Sequence, residues 1–271
     1  MSHSKNNPSV HSPNRALVWL GALAGAAFLG IIVIGVFLQR QPAISGAMSS
    51  GTNAAAASTS TAPPTNAAQL AAAFAALSDD QKVSSLLSHG SELLGQGDNE
   101  GALELYQAAL RIKSDDEDIH FNVGIALARL GRTEQAITAY QKALELFPDY
   151  AEVHNNLGNL LAKHGKVSEA IEHFNAAIKS SPENASAHNN LGSVLARQGD
   201  LQKAMGHFEE ATRLQTNYIE ASFNLASTYL ELGKADLAVE RFSQILRQQP
   251  DFKPAQAGLQ RARRRLSEHR P

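Results

Sequence analysis

The sequence predicts an all-α protein: an α-solenoid of about five helical hairpins closed by a C-terminal capping helix, preceded by one transmembrane helix and a flexible linker. Three observations lead there. Ala102, Ala136, Ala170, Ala204 and Ala238 lie 34 residues apart, and Gly97, Gly131, Gly165, Gly199 and Gly233 keep the same interval five residues earlier. Tyr106, Tyr140, Phe174, Phe208 and Phe242 follow each alanine by four, in the same register. Far from these ladders, Ala16 to Leu38 is a run of 23 residues without a charge. A fixed period of this length marks a helical unit that cannot bury its apolar face alone and must stack on its neighbours.

After an N-terminal tail, residues 1–15, the run at 16–38 reads as a spanning helix. Of its 23 residues, 13 are Leu, Ile, Val or Phe, and at 1.5 Å per residue it reaches about 35 Å against about 30 Å of hydrocarbon. A cleaved secretory signal has an apolar region of only about 7–15 residues, so length favours an uncleaved anchor. Lys5 and Arg15 precede the run and Arg40 alone follows it. That bias places the N-terminus in the cytoplasm and everything beyond residue 38 on the far side, in the periplasm of a bacterium. Gly21 and Gly25 form a G-x-x-x-G spacing through which two copies could approach. Residues 39–82 then read as a linker, since 41–77 contain 14 alanines among Ser, Thr, Asn, Gly and Pro and have little with which to offset the entropy of ordering.

Charge follows the same division. Residues 1–77 carry three bases and no acid, residues 78–252 carry 15 bases and 25 acids, and residues 253–271 carry six bases and one acid; +3, −10 and +5 give the net −2. A body at −10 argues against nucleic acid as a partner. The absence of cysteine excludes disulfides, thiolate metal sites and a thiol nucleophile.

Within residues 83–252 the units run 83–116, 117–150, 151–184, 185–218 and 219–252. In the second, His120-Phe121-Asn122-Val123-Gly124 opens an amphipathic helix, Gly131 ends it in a left-handed conformation, and Thr133 is expected to cap the next. That helix runs through Ala136 and Tyr140 to Leu146, and Pro148 stops it. Gly124, Gly158, Gly192 and Ala226 keep the two helices of a hairpin close. After Phe252, Pro254 begins an amphipathic segment in which Leu259 and Leu266 should cover the last unit while Arg261, Arg263, Arg264 and Arg265 face water, the end of a capping helix and basic tail at 253–271.

This spacing of small residue, glycine, alanine, aromatic and proline resembles the tetratricopeptide repeat, over about 170 residues from Val83 to Phe252. The first unit departs at Ser114 and the fourth at Thr216, where Pro148, Pro182 and Pro250 stand elsewhere. The resemblance implies a right-handed solenoid, a non-enzymatic role in protein–protein interaction, and a concave surface lined by the first helix of each unit.

Nothing in the chain reaches the strength of a catalytic motif: there is no G-x-S-x-G, H-E-x-x-H or phosphate loop. His120, His154 and His188 form a ladder, but equivalent positions on successive helices stand about 10 Å apart, too far to share one metal. No metal or cofactor is expected. The acids at Asp115 to Asp118 sit where a helix begins and suit its dipole.

Asn122, Asn156, Asn190 and Asn224 recur at one position of the first helix, where a buried core would rarely repeat an amide. Seven residues later on the same face stand Arg129, Lys163 and Arg197, and four earlier stand Asp118, Glu152 and Glu220. These residues describe a groove with asparagine along its middle, a basic lane on one side and an acidic lane on the other. Asparagine both donates and accepts, which suits the main chain of an extended peptide. The ladder resembles that of the O-linked N-acetylglucosamine transferase superhelix. The two-carboxylate clamp of chaperone-binding repeat domains, by contrast, is disfavoured, because Phe121, Asn155, Asn189, Asp118 and Glu152 stand at its places.

The expected function is therefore a membrane-anchored scaffold that takes a protein partner or an extended peptide in its groove, in the assembly or secretion work of a cell envelope. A permanent structural subunit of a membrane complex, or an accessory factor in cytochrome maturation, are the alternatives. The asparagines could instead pack neighbouring helices together. Replacing Asn156 and Asn190 with alanine discriminates: peptide contact predicts weaker capture with nearly unchanged unfolding.

Overall fold

The structure, a computed structural model, describes residues 74–268. The spanning segment at 16–38, with Gly21 and Gly25, and the linker as far as residue 73 lie outside the described residues. No helix among the described residues is long and apolar enough to cross a membrane.

Eleven helices and no strand occupy the described residues: α1 Asp79–Gln96, α2 Asn99–Ile112, α3 Glu117–Arg129, α4 Thr133–Leu146, α5 Ala151–Lys163, α6 Val167–Ser180, α7 Ala185–Arg197, α8 Leu201–Leu214, α9 Ile219–Glu231, α10 Ala235–Gln248 and α11 Lys253–Glu268. The chain divides into two units at residues 89 and 90. Of the first unit the structure describes residues 74–89, the turn before α1 and its N-terminal half. The second unit holds the rest.

Helix α1 starts four residues inside the segment read as linker. Ser78 and Gln81 cap it reciprocally: the Gln81 N–H donates to Ser78 Oγ at 3.3 Å and the Ser78 N–H donates to Gln81 Oε1 at 2.9 Å. This capping box offsets two orphan donors of the first turn, and the alanine-rich composition around it masked the signal.

In the second unit every first helix ends at a glycine with positive φ, from 72° at Gly131 to 88° at Gly97. The next residue's N–H reaches back five positions, as in Arg132 to the Leu127 carbonyl at 2.9 Å and Lys166 to the Leu161 carbonyl at 3.0 Å. This closure satisfies carbonyls that a helix end leaves open, and glycine adopts it without strain. Helix α4 is not capped as expected. Arg132 is the N-cap residue of α4 and its side chain does not cap the helix but pairs with Glu100, and Thr133 is already helical. Its hydroxyl instead meets His164 Nε2 at 2.9 Å. Asp98, Asp116 and Asn184 do cap through their side chains, at α2, α3 and α7.

The core is the pair of ladders. Ala102, Ala136, Ala170, Ala204 and Ala238 are fully buried, and the aromatics from Tyr106 to Phe242 are at most 2% exposed. A Cβ at Gly124 would lie 2.5 Å from the Tyr140 ring, and at Gly158 and Gly192 2.8 Å from Phe174 and Phe208. In the fifth unit that position is Ala226, and the close approach to Phe242 falls on Gly258 of α11 instead. The closing helix thus packs through Ala255, Gly258 and Ala262, with Leu259 half-buried beside them. Leu266 is only half-buried, and Arg261, Arg263, Arg264 and Arg265 are exposed, as expected.

The second helices α4, α6, α8 and α10 are each sandwiched between the first helix of their own hairpin and the helix that follows, and successive first helices also touch: α3 with α5, α5 with α7, α7 with α9, α9 with α11. No two second helices touch as extensively. The first helices therefore form the inner layer of the curve, which puts the asparagine face where a groove can form.

Candidate peptide-binding groove

The predicted residues sort into two clefts and two internal ties. A cleft of about 460 Å³ is lined by Lys163, Arg197, Asn190 and Asn224, with Glu220 and Glu231 also on its wall. A second, of about 570 Å³, takes Asn156 together with Phe121, Glu152, Asn155 and Glu183. Arg129 and Asn122 line neither. The Arg129 guanidinium donates to the Leu94 carbonyl at 2.7 Å, closing the C-terminus of α1. Asn122 donates back to the Asp118 carbonyl of its own helix at 2.8 Å.

The asparagines are not equivalent. Asn190 Nδ2 donates to Asn155 Oδ1 at 2.9 Å, and Asn224 Nδ2 donates to Asn189 Oδ1 at 2.9 Å. Each bond crosses from one first helix to the one before, at a separation of 35: one repeat and one residue. Asn189 is fully buried and donates in turn to Glu220 at 3.2 Å and Tyr218 at 3.3 Å. The packing role therefore holds for Asn190 and Asn224. For Asn156 the residue 35 earlier is Phe121, which has no acceptor, and the Asn156 amide makes no hydrogen bond among the described residues. One register rule thus yields two tied amides and one open amide.

The charges sort in the same way. Lys163 and Arg197 are exposed and have no ion-pair partner among the described residues. On the acidic side, Asp118 accepts from the Tyr150 hydroxyl, and burial together with that carboxylate drives the phenol well above its ordinary pKa. Glu220 holds Asn189. Glu152 is exposed on the wall of the larger cleft.

Two features escaped the sequence reading. Asn155 and Asn189, noted there only as unfit for a carboxylate clamp, are the acceptors of the inter-repeat ladder. The histidines of the ladder also have partners. His120, His154 and His188 each place Nε2 on the carbonyl six residues earlier, at 2.9, 2.9 and 3.2 Å. His154 and His188 further meet His173 and His207 of the following helix, Nδ1 to Nδ1, at 2.9 and 3.1 Å. The 34-residue interval between His173 and His207 is the sequence signal that could have found them.

Comparison with known proteins adds to this geometry. Models of the tetratricopeptide repeat match residues 155–219, residues 90–131 and 126–165, and residues 195–262, and so together cover 90–262. No curated protein sequence matches. Among solved structures, MamA from Desulfovibrio magneticus RS-1 is 24% identical with a TM-score of 0.54, over 61% of this chain and 94% of that one. PilF of Pseudomonas aeruginosa is 21% identical with a TM-score of 0.59, over 66% and 90%. YrrB, described as a TPR protein with an unusual peptide-binding site, is 22% identical with a TM-score of 0.53, over 68% and 96%. At these identities the likeness carries the fold.

Proposed function

The chain belongs to the tetratricopeptide repeat family, and from that premise we propose that it is a non-enzymatic scaffold, anchored in a membrane through residues 16–38, whose inner face takes an extended segment of a partner protein. The observation that carries this reading is the set of groups on one face of α5 and α7 that have no partner among the described residues: the open amide of Asn156 and the cations of Lys163 and Arg197. An amide that can donate and accept suits a peptide main chain, and two bare cations suit a carboxylate on its side chains. The body that surrounds them is acidic, so these cations are the local exception. The partner is accordingly an extended peptide with an acidic residue positioned for Lys163 and Arg197. Asn122, Arg129, Asn190 and Asn224 act in this reading mainly by holding the groove in shape.

The apolar run at 16–38 and the basic residues before it support an anchor with a cytoplasmic N-terminus and a repeat array on the other side, at work in the assembly or secretion of envelope components. A tether raises encounter frequency with partners in the same membrane. Two experiments test the halves separately. Peptides selected from a random library on the full-length protein should be enriched in Asp and Glu and lose binding in a Lys163→Glu/Arg197→Glu variant; equal binding by that variant refutes the groove. A C-terminal reporter active only in the cytoplasm refutes the topology.

A further inference from the structure

The histidine ladder cannot gather one metal along its length, and the structure points to a different grouping. His154 on α5 and His173 on α6 face each other within one hairpin, with Nδ1 atoms 2.9 Å apart; His188 on α7 and His207 on α8 repeat this one unit later at 3.1 Å. We propose that each pair is a two-histidine site for a divalent transition metal of the zinc class, which would clamp the two helices of the third and fourth hairpins.

Three features carry this. A tetrahedral zinc with bonds of about 2.0–2.1 Å holds two nitrogens roughly 3.3–3.4 Å apart, so each pair needs to open by a few tenths of an ångström while the two rings, whose centres lie 5.2 and 5.3 Å apart, tilt until both Nδ1 lone pairs converge on the metal. The second ring nitrogen of His154 is already fixed on the Pro148 carbonyl at 2.9 Å, and that of His188 on the Pro182 carbonyl at 3.2 Å. This is the outer-shell bond that sets the tautomer and aim of a ligating histidine, and it leaves Nδ1 unprotonated toward its partner. Finally, His154, His173 and His207 are only half-buried, so solvent can supply the remaining ligands. No group of three or more ligating side chains occurs among the described residues, so water completes the shell.

The proton balance is simple. In the empty pair the His173 Nδ1–H donates to His154 Nδ1; on metal binding that proton passes to His173 Nε2, and both rings stay neutral. Acid competes with the metal. The groups around the pairs are Glu169 and Glu172 beside His173 and Glu210 beside His188, and Glu210 is itself paired with Arg213. Glu169 and Glu172 add attraction for a cation at the first pair, whereas Arg213 offsets Glu210 at the second.

The test is equilibrium dialysis of the full-length protein against zinc sulfate at about pH 7.5, where histidine is neutral. His173→Gln and His207→Gln should each lose one zinc per chain, and the double variant two. An unchanged stoichiometry in the double variant overturns the proposal. The unmodified protein supplies a second reading that does not depend on a variant folding: zinc should move the ring nitrogen resonances of His154 and His188 together with those of His173 and His207. Zinc that moves only the other histidines overturns it equally.

Discussion

Asn224→Ala tests whether the asparagine ladder is a structural tie. The side chain of Asn224 supplies the 2.9 Å bond to Asn189 Oδ1, and Asn189 is fully buried. Truncation removes that bond, a net loss of about 0.5–1.5 kcal/mol, together with a long and weak one to Ser193 Oγ at 3.4 Å, and strands a buried acceptor, which costs about 1–3 kcal/mol when water cannot reach it. Asn224 is half-buried, so water can enter part of the space it leaves and the lower end applies. The sum is about 1–2 kcal/mol, or a fall in Tm of about 2–8 °C for an array of this length. Asn190→Ala should cost about 1 kcal/mol, because its acceptor Asn155 is slightly less buried. Asn156→Ala should stay within about 0.5 kcal/mol, since no bond is lost. Thermal unfolding of the three variants, followed by circular dichroism, reads these differences directly. A double-mutant cycle on Asn189 and Asn224 should show coupling of about 1 kcal/mol. An Asn156→Ala variant as unstable as Asn224→Ala, or an additive cycle, refutes the reasoning.

Three further outcomes follow from the same geometry. Gly192→Ala drives a methyl to within 2.8 Å of the Phe208 ring in a full core, and denaturant unfolding should show a loss of about 1–3 kcal/mol. Gly165→Ala meets no atom within 4 Å but must hold φ near 79°, so its smaller loss of about 1–2 kcal/mol comes from backbone strain alone. Burial, and next the neighbouring histidine, depress the pKa of both His173 and His207 below the ordinary 6.5. A depressed histidine contributes stability that is complete above the unfolded value and drains as pH falls through the folded one. Unfolding midpoints should therefore decline from pH 6.5 downward, and the His173→Gln/His207→Gln variant should show a flatter profile.

Sequence alone determined the helix pairs, their turns and their buried faces, because those depend on local rules. Glycine at the end of every first helix closes it in a left-handed turn, and an alanine with an aromatic four residues on fills one helical stripe whatever lies next to it. The end of α3 before Gly131 and the end of α4 at Leu146 were legible for that reason. Local rules failed where two signals competed: Thr133 looked like a cap but lies one residue too late, and the capping box at Ser78 and Gln81 was obscured by alanine-rich composition.

Tertiary structure decided which of the repeated residues are spent and which remain available. Asn156, Asn190 and Asn224 look alike in the chain, and only the neighbour 35 residues earlier, Phe121 for one and asparagine for the others, makes one open and two tied. Arg129 reads as part of a basic lane with Lys163 and Arg197 until the Leu94 carbonyl appears within its reach. The histidine ladder likewise acquires its partners from the opposite helix of each hairpin, and Phe242 finds its room on Gly258 because Ala226 has filled the usual place. Periodicity sets the direction of a side chain; the stacking of one repeat on the next sets what that side chain meets.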